Sequence, residues 1–250
     1  GLNSIVFFDD DKINRERIET MIRSTAFKGG LKSSFPIVAG YLPVGFAFGV
    51  AAEGAQVGTL AAVFTSLIIY AGASQFALVG LLKDGVPILS AALITLGLNL
   101  RHLLYGPGLS RYTEEFSLRE RLVAAFGLTD EVFAVAFSRI GFMPHESRFW
   151  WLMGLEFGAY SCWIGGTLAG SISGDLLLSH FSFLRPALSF ALPALFLSLL
   201  LPMLNSTTRP AVMISLLLAA AFHWSGHSEI GIIAAAVIGP SIGIIVRNFQ

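Results

Sequence analysis

Asn99, Arg101, His102 and Tyr105 stand close together inside an apolar stretch covering residues 86–109. Ionisable groups at that depth of a membrane span cost about 2.5 to 3.5 kcal/mol each on insertion scales, so they face polar cavities and mark transport or proton pathways. On a regular helix the four share one half of the circumference. Arg101 suits a carboxylate, and His102, with an ordinary pKa near 6.5, suits a proton relay. The bland alternative, Arg101 snorkelling to the headgroups, leaves the shorter Asn99, His102 and Tyr105 without polar partners. A second apolar stretch, 122–140, carries Thr129, Asp130 and Glu131 at its centre. Short carboxylates cannot snorkel from there. Successive helical residues differ by about 100°, so Asp130 and Glu131 point apart, one free to titrate while the other pairs with a base such as Arg101. A purely structural ion pair is the competing reading. Glu156 is a further, isolated candidate.

These residues need elements to hold them. The chain of 250 residues is 54% hydrophobic and only 13% charged, with a mean hydropathy of +0.72; soluble domains carry nearly twice that charge. Stretches of the roughly 20 residues that cross a bilayer occupy 35–55, 57–82, 86–109, 122–140, 149–172, 184–204, 210–224 and 230–246. This predicts an all-α polytopic membrane protein with seven or eight transmembrane helices over 35–250, preceded by a charged cytoplasmic leader or interfacial helix at 1–34. The runs lack the alternation of a β-barrel. Sixteen basic and sixteen acidic residues cancel, so no global field favours nucleic acid. In the leader, Asp11 can cap a helix that aligns Ile18, Met21 and Ile22 and stops at Gly29-Gly30. No signal peptide is visible, and Gly1 in place of Met suggests processing or a tag remnant. Six basic leader residues place the N-terminus inside. The arginines of 111–121 break simple alternation unless an early span is re-entrant.

The first two spans are rich in Gly and Pro, notably at Pro36, Pro43 and Tyr70-Ala71-Gly72-Ala73-Ser74-Gln75. This predicts broken helices exposing backbone to a binding cavity, with Tyr70, Ser74 and Gln75 as candidate site residues; small-residue packing is the alternative. A faint repeat lays residues 45–48 on 132–135 and 72–73 on 158–159, as inverted repeats would. Gly154, Gly158, Cys162 and Gly165-Gly166 form a small-residue face suited to a partner helix. His223 and His227, with Glu229 nearby, have ligand-like spacing but flank a turn, so no metal and no cofactor is expected. Hydrolase, P-loop, zincin and dinucleotide fingerprints are absent, which argues against an enzyme.

The strings IIYAGASQF at 68–76, LNLRHLLYGPGL at 98–109, FGLTDEVFA at 126–134 and LPALFLSLLL at 192–201 resemble the AzlC/YgaZ proteins, the large subunits of bacterial branched-chain amino-acid exporters. The resemblance covers residue 31 onward. It implies a multi-pass protein of the bacterial cytoplasmic (inner) membrane that exports valine, leucine and isoleucine, with methionine as a further substrate. It also implies a small AzlD/YgaH-type membrane subunit as partner. A zwitterion needs an anion and a cation contact beside an apolar pocket, and Arg101 with Asp130 supply both types. A channel and a non-transporting assembly subunit are the alternatives.

Overall fold

The computed structural model describes residues 3–183, 204–206, 208–227, 231, 234–235, 237–242 and isolated positions between 186 and 201. Among them every regular element is helical. The spans expected at 184–204 and 230–246, and the motif at 192–201, lie largely or partly outside the described residues. The chain divides into two units, 1–192 and 193–250. In the first, helices α1 (Asn3–Ser33), α2 (Phe35–Gly54), α3 (Thr59–Ile68), α4 (Gly72–Lys83) and α5 (Ile88–Asn99) are followed by a 3₁₀ segment, Leu100–Leu104. Then come α6 (Tyr105–Leu109), α7 (Leu118–Gly127), α8 (Asp130–Arg139) and α9 (His145–His180). The second unit contains α10 (Arg209–Trp224), whose Ser215 hydroxyl donates to the Ala235 carbonyl at 2.8 Å.

Two stretches, Phe35–Gly54 and Ile88–Tyr112, are continuous and apolar enough to cross a bilayer. The runs at 57–82 and 122–140 also have the length, but each is split. Residues 69–71 separate α3 from α4, and 128–129 separate α7 from α8. At 10 and 12 residues, α3 and α4 are about 15 and 18 Å long, so neither crosses about 30 Å of hydrocarbon alone. The first break comes from Tyr70, at φ +41, followed by extended Ala71 at φ −141. The second comes from Leu128 and Thr129, both extended, after which the Thr129 hydroxyl caps α8 by accepting from Val132 N–H at 3.3 Å. The expected uniform span over 122–140 is therefore corrected. Asp130 and Glu131 occupy the first turn of a half-helix, where its positive end favours carboxylates. The run at 86–109 is likewise not one regular helix, because the 3₁₀ segment interrupts it at the polar residues.

The scaffold under both breaks is the pair α2 and α9, which touch along glycines. A Cβ on Gly49 would lie 2.2 Å from the Thr167 carbonyl oxygen, and one on Gly170 would lie 2.0 Å from that of Phe46. Only residues without Cβ let two backbones approach so closely. The leader behaves differently from expectation. Asp11 lies inside α1 rather than capping it, and the helix runs through Gly29-Gly30 to Ser33. Gly30 serves contact instead, since its Cβ would overlap the Trp151 carbonyl. Ile18, Met21 and Ile22 are exposed. The glycine face of α9 assigned to a partner is mostly filled within the chain: Gly154 meets Phe27, Gly158 meets Ser34 and Gly166 meets Leu42. Between α6 and α7, Arg121 donates to the carbonyls of Phe116 and Glu114 at 2.9 and 2.6 Å, while Glu120 closes a capping box with Ser117. Those loop charges hold the turn itself.

Candidate functional site

The N-termini of α4 and α8 approach the same aromatic pair from different sides. Trp163 of α9 lies under Gly72, where a Cβ would come within 2.9 Å of the indole ring, so this position needs glycine for proximity rather than for dihedral freedom. Tyr41 of α2 packs edge-on against Trp163 at 5.3 Å. The Tyr41 hydroxyl then reaches α8, hydrogen-bonded to Thr129 Oγ1 at 2.7 Å and donating to the Glu131 carboxylate. Two half-helix N-termini thus flank one buried tyrosine–tryptophan pair.

Around this pair the polar residues form connected groups. Ser74 donates to Asn99 Oδ1, joining α4 to the end of α5. Two residues on, Arg101 Nη1 is 2.9 Å from Asp130 Oδ2, and the Tyr105 hydroxyl donates to the other oxygen of the same carboxylate. His102 stacks on Tyr105, with ring centroids 5.1 Å apart, and Tyr105 stacks on Phe133 at 5.0 Å. Asp130 and Glu131 do point apart, one toward the 3₁₀ segment and the other toward α2. Arg101 and Asp130 hold each other in this conformation, with their side chains 36% and 27% exposed.

Gln75 belongs to a separate closed ring of bonds. Trp163 Nε1 donates to Gln75 Oε1 at 3.0 Å, and Gln75 Nε2 donates to Ser66 Oγ at 2.9 Å. Ser66 and Thr167 are 2.8 Å apart, and the Thr167 hydroxyl donates back to the Trp163 carbonyl at 3.0 Å. Because Thr167 gives its proton to that carbonyl, Ser66 must be the donor between the two hydroxyls. All four side chains are buried. The ring stitches α3 to α4 across their break and ties both to α9. Replacing Gln75 with Leu should orphan the indole N–H and cost about 2 kcal/mol, which lowers the unfolding temperature of a chain this size by about 4 to 8 °C. Thermal unfolding in detergent measures it, and an unchanged midpoint would refute the role of the ring.

Tyr70 is 3% exposed, its ring edge-on to Tyr160 at 4.8 Å, and its hydroxyl has no hydrogen-bond partner. Ten of the eleven residues singled out from the sequence thus lie on or next to the elements that flank the two breaks, and the eleventh, Glu156, lies on α9 against Gly127 at the end of α7. Sequence reasoning did not single out Tyr41, Trp163, Ser66 and Thr167. The available signal was the pair of polar-tipped aromatics in otherwise apolar helices, since a buried Tyr O–H or Trp N–H needs a partner. Among the described residues no cluster of His, Cys, Asp and Glu has metal-ligand proximity. His227 follows a turn with Gly226 at φ +81, and Glu229 lies outside the described residues.

The family model described as AzlC protein matches residues 36–177, which include both breaks and every residue of the site. The chain belongs to the AzlC family. It is 43% identical over 223 residues to an uncharacterised membrane protein of Archaeoglobus fulgidus, covering 89% of this chain and 96% of that one. It is 40% identical to the inner membrane protein YgaZ of Escherichia coli, covering 91% and 93%. To the branched-chain amino acid transport protein AzlC of Bacillus subtilis it is 27% identical, covering 69% and 65%. No solved structure matches. This AzlC-family chain is accordingly a membrane protein with a transport role, and its apolar exposed residues on 88–104, among them Leu89, Leu93, Leu96, Leu100 and Leu103, are the surface that such a setting requires.

Proposed function

We propose that this AzlC-family chain is the large subunit of a secondary transporter that exports branched-chain amino acids across the bacterial cytoplasmic membrane. The observation that carries the reading is the meeting of two broken helices at one polar centre, the design by which many secondary transporters hold a charged substrate near the bilayer midplane. The first turn of α4 has no side-chain cap, so its N–H groups and positive end suit a carboxylate. The Thr129, Asp130 and Glu131 end of α8 supplies negative charge for an ammonium. The aromatic walls from Tyr41, Trp163 and Tyr105 suit a small apolar side chain. The name of the Bacillus subtilis relative, a branched-chain amino acid transport protein, supports the substrate class, and that of the Escherichia coli relative supports the inner membrane.

A small membrane subunit completes this reading. The α9 glycines do not call for it, being used inside the chain. The support comes from the partly exposed Arg101–Asp130 pair, set on a segment that otherwise exposes leucines. Charged groups at membrane depth need protein or water beside them rather than hydrocarbon.

Proteoliposomes carrying this chain with and without the AzlD-type subunit test both proposals. Valine on the far side should accelerate labelled valine movement, which a channel does not show, and the two subunits together should transport faster than this chain alone. Absence of trans-stimulation would sink the transporter reading. Full-rate transport by this chain alone would sink an obligate partner.

A further inference from the structure

Glu156 sits about three turns into α9 and is 5% exposed. Its Oε1 has no hydrogen-bond partner, and among the described residues no basic side chain pairs with it. On its other side the end of α7 closes in: a Cβ on Gly127 would lie 2.3 Å from Glu156 Oε2. Glycine is what allows the second break to rest on this carboxylate. Another unpartnered buried oxygen is the Tyr70 hydroxyl at the first break, whose ring packs edge-on at 4.8 Å against Tyr160, one turn along α9 from Glu156. Two helix breaks therefore each present an unsatisfied oxygen to the same region of α9. Buried polar groups are nearly always paired, and an exception calls for an absent partner.

The chemistry of that partner follows from what surrounds it. Every group offered is an acceptor or carries negative charge: the Glu156 carboxylate, Glu131, the phenolic oxygen of Tyr70, and the C-terminal end of α7, whose last carbonyls lack helical partners and form the negative end of its dipole. We propose that Glu156 and Tyr70 form a site for one unit of positive charge, carried by the ammonium group of the amino acid or by a small coupling cation, sodium or a proton. This deepens the export reading and rests on it, by adding to the carboxylates at the α8 end one that no described base offsets, whereas Asp130 is already offset by Arg101.

Glu156→Gln and Tyr70→Phe in the full chain, reconstituted with its small subunit if that is required, test the site. Gradient-driven valine transport should fall about 100-fold in Glu156→Gln, the scale of losing one buried charge partner, and about tenfold in Tyr70→Phe, the scale of one hydrogen bond. Valine counterflow with equal cation on both sides separates the sources. Counterflow kept while driven transport is lost assigns the site to the coupling cation. Loss of both, together with loss of thermal stabilisation by valine, assigns it to the ammonium. Wild-type rates of both kinds in both variants overturn the proposal. If Glu156→Gln does not reach the membrane, Tyr70→Phe decides alone, since it keeps the ring on Tyr160 and removes one oxygen. A wild-type protein that moves no amino acid refutes the export reading instead; the site then stands or falls on whether sodium chloride, against choline chloride, or a lowered pH raises the unfolding temperature of wild type but not of the variants.

Discussion

Asp130→Asn should abolish concentrative transport while leaving the protein in the membrane. The Asp130 carboxylate contacts both the Arg101 guanidinium, at 2.9 Å, and the Tyr105 hydroxyl. Amide replacement preserves shape and removes the charge that offsets Arg101. Breaking a buried pair costs about 3 to 5 kcal/mol, and this pair, being partly exposed, falls toward the lower figure. The larger loss is functional: we expect about a 100-fold drop in transport, the scale set by an uncompensated charge at an interface. Arg101→Gln should do the same. The Arg101→Gln, Asp130→Asn double variant should unfold at a higher temperature than either single variant, since neither charge is stranded, without regaining transport. Transport at equal membrane abundance is the measurement, and a wild-type rate in Asp130→Asn would show the pair to be structural only.

The second large effect lies in the scaffold. Gly170→Val should prevent folding, because even a Cβ there stands 2.0 Å from the Phe46 carbonyl oxygen, a contact with backbone that no rotamer relieves. Gly49→Val meets the Thr167 carbonyl in the same way. Gly80→Ala in α4 is the control, since nothing lies within 4 Å of its Cβ position. Monodisperse yield in detergent should collapse for the first two and stay near wild type for the third. A well-folded Gly170→Val protein would mean that α2 and α9 are not in direct backbone contact.

How much of this the sequence discloses differs from element to element. Asn99, Arg101, His102, Tyr105, Asp130 and Glu131 are legible because ionisable or strongly polar groups in apolar runs are costly, and the structure finds partners for nearly all of them nearby. The break at 128–129 was readable in principle: Gly127, then Thr129 as a cap and two acids in the following turn, is a helix start. It was masked by apolar residues on both sides, which satisfy a span criterion that counts hydropathy and ignores capping. The break at 69–71 was expected from Gly72, yet the residue in the left-handed region is Tyr70, and Gly72 is needed for its approach to Trp163. A side chain held against its dihedral preference by distant packing leaves no local signal. The same holds for α9, whose glycines look available along the sequence and are covered in the fold by α1 and α2.

The ring of bonds through Trp163, Gln75, Ser66 and Thr167 also has a mechanical meaning. It returns to the residue where it starts and spans three helices, so no single bond can be exchanged for water without disturbing the next. Parting α4 from α9 means opening several buried bonds together, at about 1 kcal/mol or more apiece before any desolvation. The first broken helix is thereby fastened to α9 as a stator. The second is fastened differently: the Tyr41 hydroxyl holds Thr129 and Glu131 on one side of α8, and the Arg101 guanidinium and Tyr105 hydroxyl hold Asp130 on the other, contacts to carboxylates and to a guanidinium that the ammonium and carboxylate of a zwitterion can take over. In the export cycle proposed above, the compliant element, and hence the moving gate, is the one whose bonds the cargo itself can take over.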